Sequence, residues 1–233
     1  MTDDWFVFTR KTALMQRIAD LVRTGHLQYV CGEIDIAKAA GLTKKFSSAY
    51  QVCQTRLQAS RQRSSGNASF RLLLWHQTGS DVVGWWLLHT RGRTPEQAQR
   101  ERWRDAVRER IEMTGYELVR LTRPGAHAPS WTWRYTAERE QQLRAAVIDA
   151  IRAKRDDLLA ELIATIWRTP GFAGARAQVK KMRDLIFAEW RRAGRPPDAV
   201  PPIPARIGYV RRVPDVGMRL FDLGRRARGH RRG

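Results

Sequence analysis

Cysteine is scarce: Cys31 and Cys53 are the only two in 233 residues, and neither has a second cysteine near enough to form a CxxC zinc pair. The five histidines, His26, His76, His89, His127 and His230, give no HExxH or HxxxH spacing, so no metal site is expected. Long apolar runs are absent too. The longest covers a handful of residues, far short of the roughly 20 that a membrane-spanning helix needs. The start, Met1-Thr2-Asp3-Asp4-Trp5, is acidic where a secretory leader is basic, and no apolar core of a leader follows it. The expectation is a soluble cytoplasmic protein with reduced thiols and no membrane partner. Walker A, GxSxG and strand-linked GxGxxG motifs are missing, as is a carboxylate cluster for magnesium, so neither an NTPase, a two-metal nuclease nor any cofactor is expected.

What the chain has in excess is positive charge. Against 23 acidic residues stand 43 basic ones, 36 of them arginine, for a net charge of +20. A GC-rich genome accounts for arginine replacing lysine but not for the surplus over acid. Such a field draws in polyanions and gains affinity by releasing their counterions, so nucleic acid is the first partner to consider, ahead of an acidic protein or a membrane surface. The surplus is spread along the chain: +7 in residues 1–95, +7 in 96–195 and +6 in 196–233.

Hydrophobic periodicity predicts an α+β fold. Trp5 to Phe8 read as a strand, Leu14, Ile18, Leu21 and Val22 as one helix face closed by Gly25, and Leu27 to Ile34 as a second strand. A helical segment from Ile36 to about Arg56, a polar loop at 61–67 and a hairpin formed by Phe70–Trp75 and Val82–Thr90 follow. The order β-α-β-α-β-β implies helices on a small antiparallel sheet, a ferredoxin-like or RRM-like domain over residues 1–93. Thr94-Pro95-Glu96 reads as the start of a helix carrying Trp103, Ala106, Val107 and Ile111, and Tyr116–Arg123 with Ser130–Thr136 as a second hairpin around Pro124-Gly125-Ala126. Three helices complete a helix-rich part from 94 to 195. The remainder, 196–233, reads as a proline-rich linker and a basic tail expected to be disordered from Gly224 to Gly233.

Several constellations carry possible chemistry. On the expected helix from Glu96 to Met113, Arg100, Arg104 and Arg108 form an i, i+4 row that suits phosphates, while Glu101 and Asp105 stand ready to neutralise it as ordinary surface pairs. Nine tryptophans offer stacking surfaces for bases, although Trp131, Trp133, Trp167 and Trp190 fit core positions better. His26, in Arg23-Thr24-Gly25-His26, is either a helix-end cap or a general base for the 2′-hydroxyl of RNA, with Arg23 beside it to hold the scissile phosphate. Further nucleic-acid contacts are expected from Arg10, Lys11, Arg17, Lys44, Lys45, Arg61, Arg63, Arg211 and Arg212.

With its β-α-β-α-β-β start, the Arg23-Thr24-Gly25-His26 junction and the Arg100, Arg104 and Arg108 series, the chain resembles CRISPR RNA-processing endoribonucleases of the repeat-cleaving class, the plasmid-borne type IV form above all. The resemblance implies a ferredoxin-like domain, a repeat-hairpin RNA partner within a ribonucleoprotein complex, and metal-independent cleavage with His26 as general base and Arg23 as phosphate ligand. The alternative is a non-catalytic DNA-binding accessory protein of a plasmid or integrative element, serving replication, transfer or partition.

Overall fold

The computed structural model describes residues 5–122, 125 and 127–230, with side chains up to 227. Met1–Asp4, Arg123, Pro124, Ala126 and the last three tail residues lie outside the described residues. The class is α+β, as expected. Two compact units divide the chain: residues up to Glu109 together with those from Arg212 on form unit 1, and Arg110–Arg211 form unit 2. The expected divisions at 93/94 and 195/196 differ from these.

Unit 1 begins with β1 (Phe6–Phe8), α1 (Lys11–Arg23) and β2 (Gln28–Asp35). The α1 stripe of Leu14, Ile18 and Val22 is fully buried, each side chain contributing about 1.5–3 kcal/mol. Gly25, at φ +94°, ends the helix by a reversal only glycine makes cheaply. Asp35 caps α2 (Ile36–Tyr50), accepting from Ala37 N at 2.7 Å, and Gly41 does not interrupt it because Ile36, Ala39, Phe46 and Tyr50 are anchored in the core. Then come α3 (Arg56–Ser64), β3 (Phe70–Trp75) and β4 (Val82–His89). Residues 61–64 of the expected polar loop are thus helical.

The sheet of unit 1 is mixed and has six strands, in the order β5-β2-β4-β3-β1-β9, where β5 is Arg104–Asp105 and β9 is Gly217–Arg219. Strand β1 runs parallel to β3, while β4 is antiparallel to both β3 and β2. Two helices separate β2 from β3, and both edge strands come from beyond residue 93, so the expected small antiparallel sheet is replaced by a wider mixed one. One face packs Val7, Val30, Leu72, Leu74, Val83 and Leu87 against α2 and the C-terminal α7 (Leu220–His230). Phe8, Tyr29, Trp86 and Leu88 are buried on the alternate face, against which α1 packs.

Two expectations are corrected here. Residues 96–113 are not a helix. Glu96–Arg100 make a short 3-10 turn, Arg104 and Asp105 pair with Tyr29 and Gln28 as β5, and Ala106 N donates to Leu27 O at 2.8 Å. Pairing with β2 supplies backbone hydrogen bonds that a helix would otherwise make, and Trp103 packs edge-on against His89 with ring centroids 4.4 Å apart. Nor is the tail disordered through its described part. Residues 220–230 are helical, and Leu220 and Leu223 are buried in the unit 1 core with Ala227 packed beside them. Arg225 and Arg226 are exposed on a helix whose inner face is apolar.

Unit 2 is a three-stranded antiparallel sheet, β6 (Glu112–Met113), β7 (Tyr116–Leu121) and β8 (Ser130–Tyr135), joined to α4 (Ala137–Arg152), α5 (Asp156–Trp167) and α6 (Ala173–Arg192). Thr114 and Gly115, both at positive φ, make the two-residue turn between β6 and β7. Helix α6 lies against β8: Gly174 N donates to Thr132 Oγ1, and Gln178 exchanges hydrogen bonds with the Tyr135 backbone in both directions. The proline-rich segment after 195, expected as an extended linker, begins with a 3-10 turn at Pro197–Ala199 and is docked: Trp190 Nε1 donates to Pro196 O at 2.8 Å and Trp167 Nε1 to Pro204 O at 3.0 Å.

Candidate nucleic-acid interface

Helix α3 is polar on almost every side, a pattern that needs local support to stay folded. A capping box supplies it: Thr55 Oγ1 accepts from Gln58 N and Gln58 Oε1 accepts from Thr55 N, satisfying two amide donors at the helix start. Ala59 is the only buried residue, which leaves Arg56, Leu57, Arg61 and Arg63 exposed. Arg71, on the neighbouring β3, reaches back under the helix entry and donates to Gln54 O at 2.8 Å. Its own burial, and then the charge of nearby Arg63, lower its pKa. It remains a cation all the same.

The segment after α3 is stitched to the segment after β4. Arg93 N donates to Gly66 O, Ala68 N to Arg93 O, and the Arg93 guanidinium to Ser65 O at 3.1 Å. At Gly92, φ is +134° and an added Cβ would sit 2.6 Å from the Asn67 carbonyl carbon, so only glycine allows the two segments to approach this closely. The seam gathers Arg63, Arg71, Arg91 and Arg93 at one end of the β3–β4 hairpin. From Gln51 to Pro95 there are six arginines and a single carboxylate, Asp81, which lies at the hairpin's opposite end. The nearest acid on the neighbouring edge strand, Asp105, accepts from Gln28 and from Val107 N.

His26 is 4% exposed. Its Nδ1 lies 3.2 Å from Leu21 O, an acceptor, so the ring proton resides there, and Nε2 is left enclosed with no partner among the described residues. Burial pulls its pKa down to about 4, with smaller pushes from Arg71 and Arg63, and the Leu21 bond offsets part of this. The arginines whose charge reaches it are therefore those of the α3 seam. Arg23 pairs with Asp20 instead, on α1.

The other expected contacts are scattered. Arg17 and Arg212 converge on Asp20, and Arg17 also meets Asp215 at 2.5 Å, a mutually neutralising set that holds 212–215 along α1. Arg10 is exposed before α1, Lys11 is half-buried in its first turn, Lys44 is exposed on α2, and Lys45 pairs with Glu101. Arg104 stacks over the Tyr29 ring, Arg100 and Arg108 are exposed, and with no helix between them the three form no row. Arg211 is exposed in unit 2. Of the expected residues, the structure gathers Arg17, Arg23 and Arg212 around Asp20, and it places Arg61 and Arg63 on α3 beside the seam that carries Arg71, Arg91 and Arg93. Trp133 and Trp190 are fully buried, in line with core roles. Among the described residues no group of His, Cys, Asp or Glu is arranged to hold a metal, and no helix is long and apolar enough to cross a membrane.

No known protein family matches the chain, and no curated protein or solved structure matches it.

Proposed function

We propose that the chain binds nucleic acid, hairpin RNA first, with the arginine ridge of unit 1 lying along the phosphate backbone. The observation that carries this reading is the collection of Arg63, Arg71, Arg91 and Arg93 at one hairpin end, with Arg56 and Arg61 on the adjoining α3, where the nearby acids Glu101 and Asp105 are already engaged by Lys45 and Tyr50 and by Gln28. A phosphate chain there gains charge-assisted hydrogen bonds from guanidinium groups held on a helix and a locked seam rather than on loose loops. RNA is named ahead of DNA because of the likeness to repeat-processing endoribonucleases, which also makes a ribonucleoprotein its setting. Cleavage through His26 finds no support in the geometry, since a general base must reach the proton it takes and Nε2 is enclosed.

The test is fluorescence anisotropy with labelled hairpin RNA and duplex DNA across a salt series, with EDTA present. For about six phosphate contacts, affinity falls roughly a thousandfold between 50 and 200 mM salt. Replacing Arg61, Arg63 and Arg91 by glutamine should lower the log–log salt slope by about 2–3, whereas the same change at Arg144, Lys154 and Arg155, exposed in unit 2, should move it much less. Equal effects from both triples would refute the ridge. Tighter binding of duplex DNA than of RNA would favour the accessory-protein alternative.

A further inference from the structure

Unit 2 presents an aromatic ring that its own packing does not require. The extended segment after α6 is pinned on both sides of Tyr209. Arg176 Nε donates to Ile207 O at 2.8 Å, and Val210 N donates to Gly171 O at 3.0 Å. Gly171 passes so near Gly208 that a Cβ on Gly171 would collide with the Gly208 carbonyl oxygen. Between these anchors Tyr209 remains 69% exposed, even though the Arg176 guanidinium carbon lies 3.5 Å from its ring centroid. One face of the ring rests on a cation whose position is fixed by its bond to Ile207, and most of the remaining surface is open to water.

We propose that Tyr209 is a stacking platform for an unpaired nucleobase, backed by Arg176, with Arg206 and Arg211 meeting the phosphates on either side of the stacked nucleotide. An aromatic ring held in place by fixed neighbours and backed by a cation offers a flat open face, and a base is the flat, polyanion-linked partner that suits both ring and charge. Arg206 and Arg211 are exposed three residues before and two residues after the tyrosine, and the stretch from Ala199 to Arg211 contains no carboxylate. The backbone anchors set the ring in advance, so stacking costs little ordering. This rests on the nucleic-acid partner proposed above but not on the unit 1 ridge.

The experiment compares oligo(U), oligo(dT) and a blunt RNA hairpin by anisotropy on wild type, Tyr209→Ala and Tyr209→Trp, with melting curves for each. In addition, wild-type protein is photocrosslinked to oligo(U) carrying 5-iodouridine and the adduct is mapped by mass spectrometry. Tyr209→Ala should weaken oligo(U) binding about tenfold or more while leaving hairpin affinity and melting temperature unchanged, Tyr209→Trp should keep it, and the crosslink should fall on Tyr209. Equal affinity for oligo(dT) would place recognition on the base alone; a preference for oligo(U) would assign the platform to RNA. A purely structural tyrosine would move the melting curve and not the affinity, which overturns the proposal. So would crosslinks that map elsewhere, a result that stands even if the alanine variant misfolds. Loss of oligo(U) binding from wild type with hairpin binding intact would sink the platform and spare the ridge. Hairpin binding that ignores the Arg61, Arg63 and Arg91 changes, with Tyr209-dependent oligo(U) binding intact, would do the reverse.

Discussion

His26 makes the stability of unit 1 depend on pH in a way that can be worked out beforehand. In the folded protein its pKa falls from the ordinary 6.5 to about 4, chiefly because burial disfavours the cation. The added proton would have to go on Nε2, which is enclosed and has no acceptor. An unfolded chain takes up that proton near 6.5. Stability from this ring is therefore complete above pH 6.5, is lost progressively as pH falls toward 4, and changes no further below that. At about 1.36 kcal/mol per pKa unit the loss amounts to about 3 kcal/mol, undiscounted because the side chain is almost wholly buried. His26→Asn keeps a donor for Leu21 O but cannot titrate, so the difference in stability between it and wild type isolates the ring from carboxylates common to both proteins. Chemical denaturation at pH 7, 6, 5 and 4, with the imidazole followed by NMR, measures both quantities. The wild-type advantage should shrink by about 3 kcal/mol across the series. A difference that stays constant with pH, or an imidazole that titrates near 6.5, would show that the ring reaches water and would reopen its role as a base.

Two further outcomes follow from the packing. Leu223→Ala should cost about 2–5 kcal/mol in a denaturation measurement, since Leu223 is buried between α7 and the unit 1 core; an α7 that did not dock on that core would lose nothing. Gly92→Ala should destabilise by about 2 kcal/mol or more and weaken nucleic-acid binding together with it, because the positive φ and the approach to Asn67 both exclude a side chain; unchanged melting and affinity would mean that the seam does not set the ridge.

Elements whose hydrogen bonds are local were legible in the sequence: α1, α2 and the three helices of unit 2 carry their periodicity within one segment, and both long hairpins announce themselves by paired apolar runs. The stretch from 96 to 113 misled for a physical reason. Trp103, Ala106, Val107 and Ile111 fall on one helical face by spacing, yet Trp103 packs in unit 1, Ile111 is buried in unit 2 and Val107 is 52% exposed. What decides this segment is pairing with Gln28 and Tyr29, which no local window contains. The tail held a signal: Leu220, Leu223 and Ala227 are spaced for a helix face, but the stripe starts upstream of the charged run that dominated the reading. Thr55 and Gln58 likewise marked the start of α3, a capping box hidden within a polar stretch. At the site, Arg61 and Arg63 were recognisable as unpaired charge, whereas their union with Arg71 and Arg93 depends on the seam at Gly92 and could not be read from spacing.

Because β9 places Met218 opposite Val7 and α7 then closes over α2, the two ends of unit 1 meet only after all of unit 2 has been made. Everything unit 2 needs, by contrast, lies in one uninterrupted stretch, so during translation it is complete while unit 1 still lacks an edge strand and part of its core. Joining β1 to β9 closes a very long loop, a contact of high order that folding reaches late. The arginine ridge is thus assembled on a sheet whose last strand follows unit 2 in the chain, and a chain interrupted or clipped before β9 loses part of unit 1 while unit 2 stays whole.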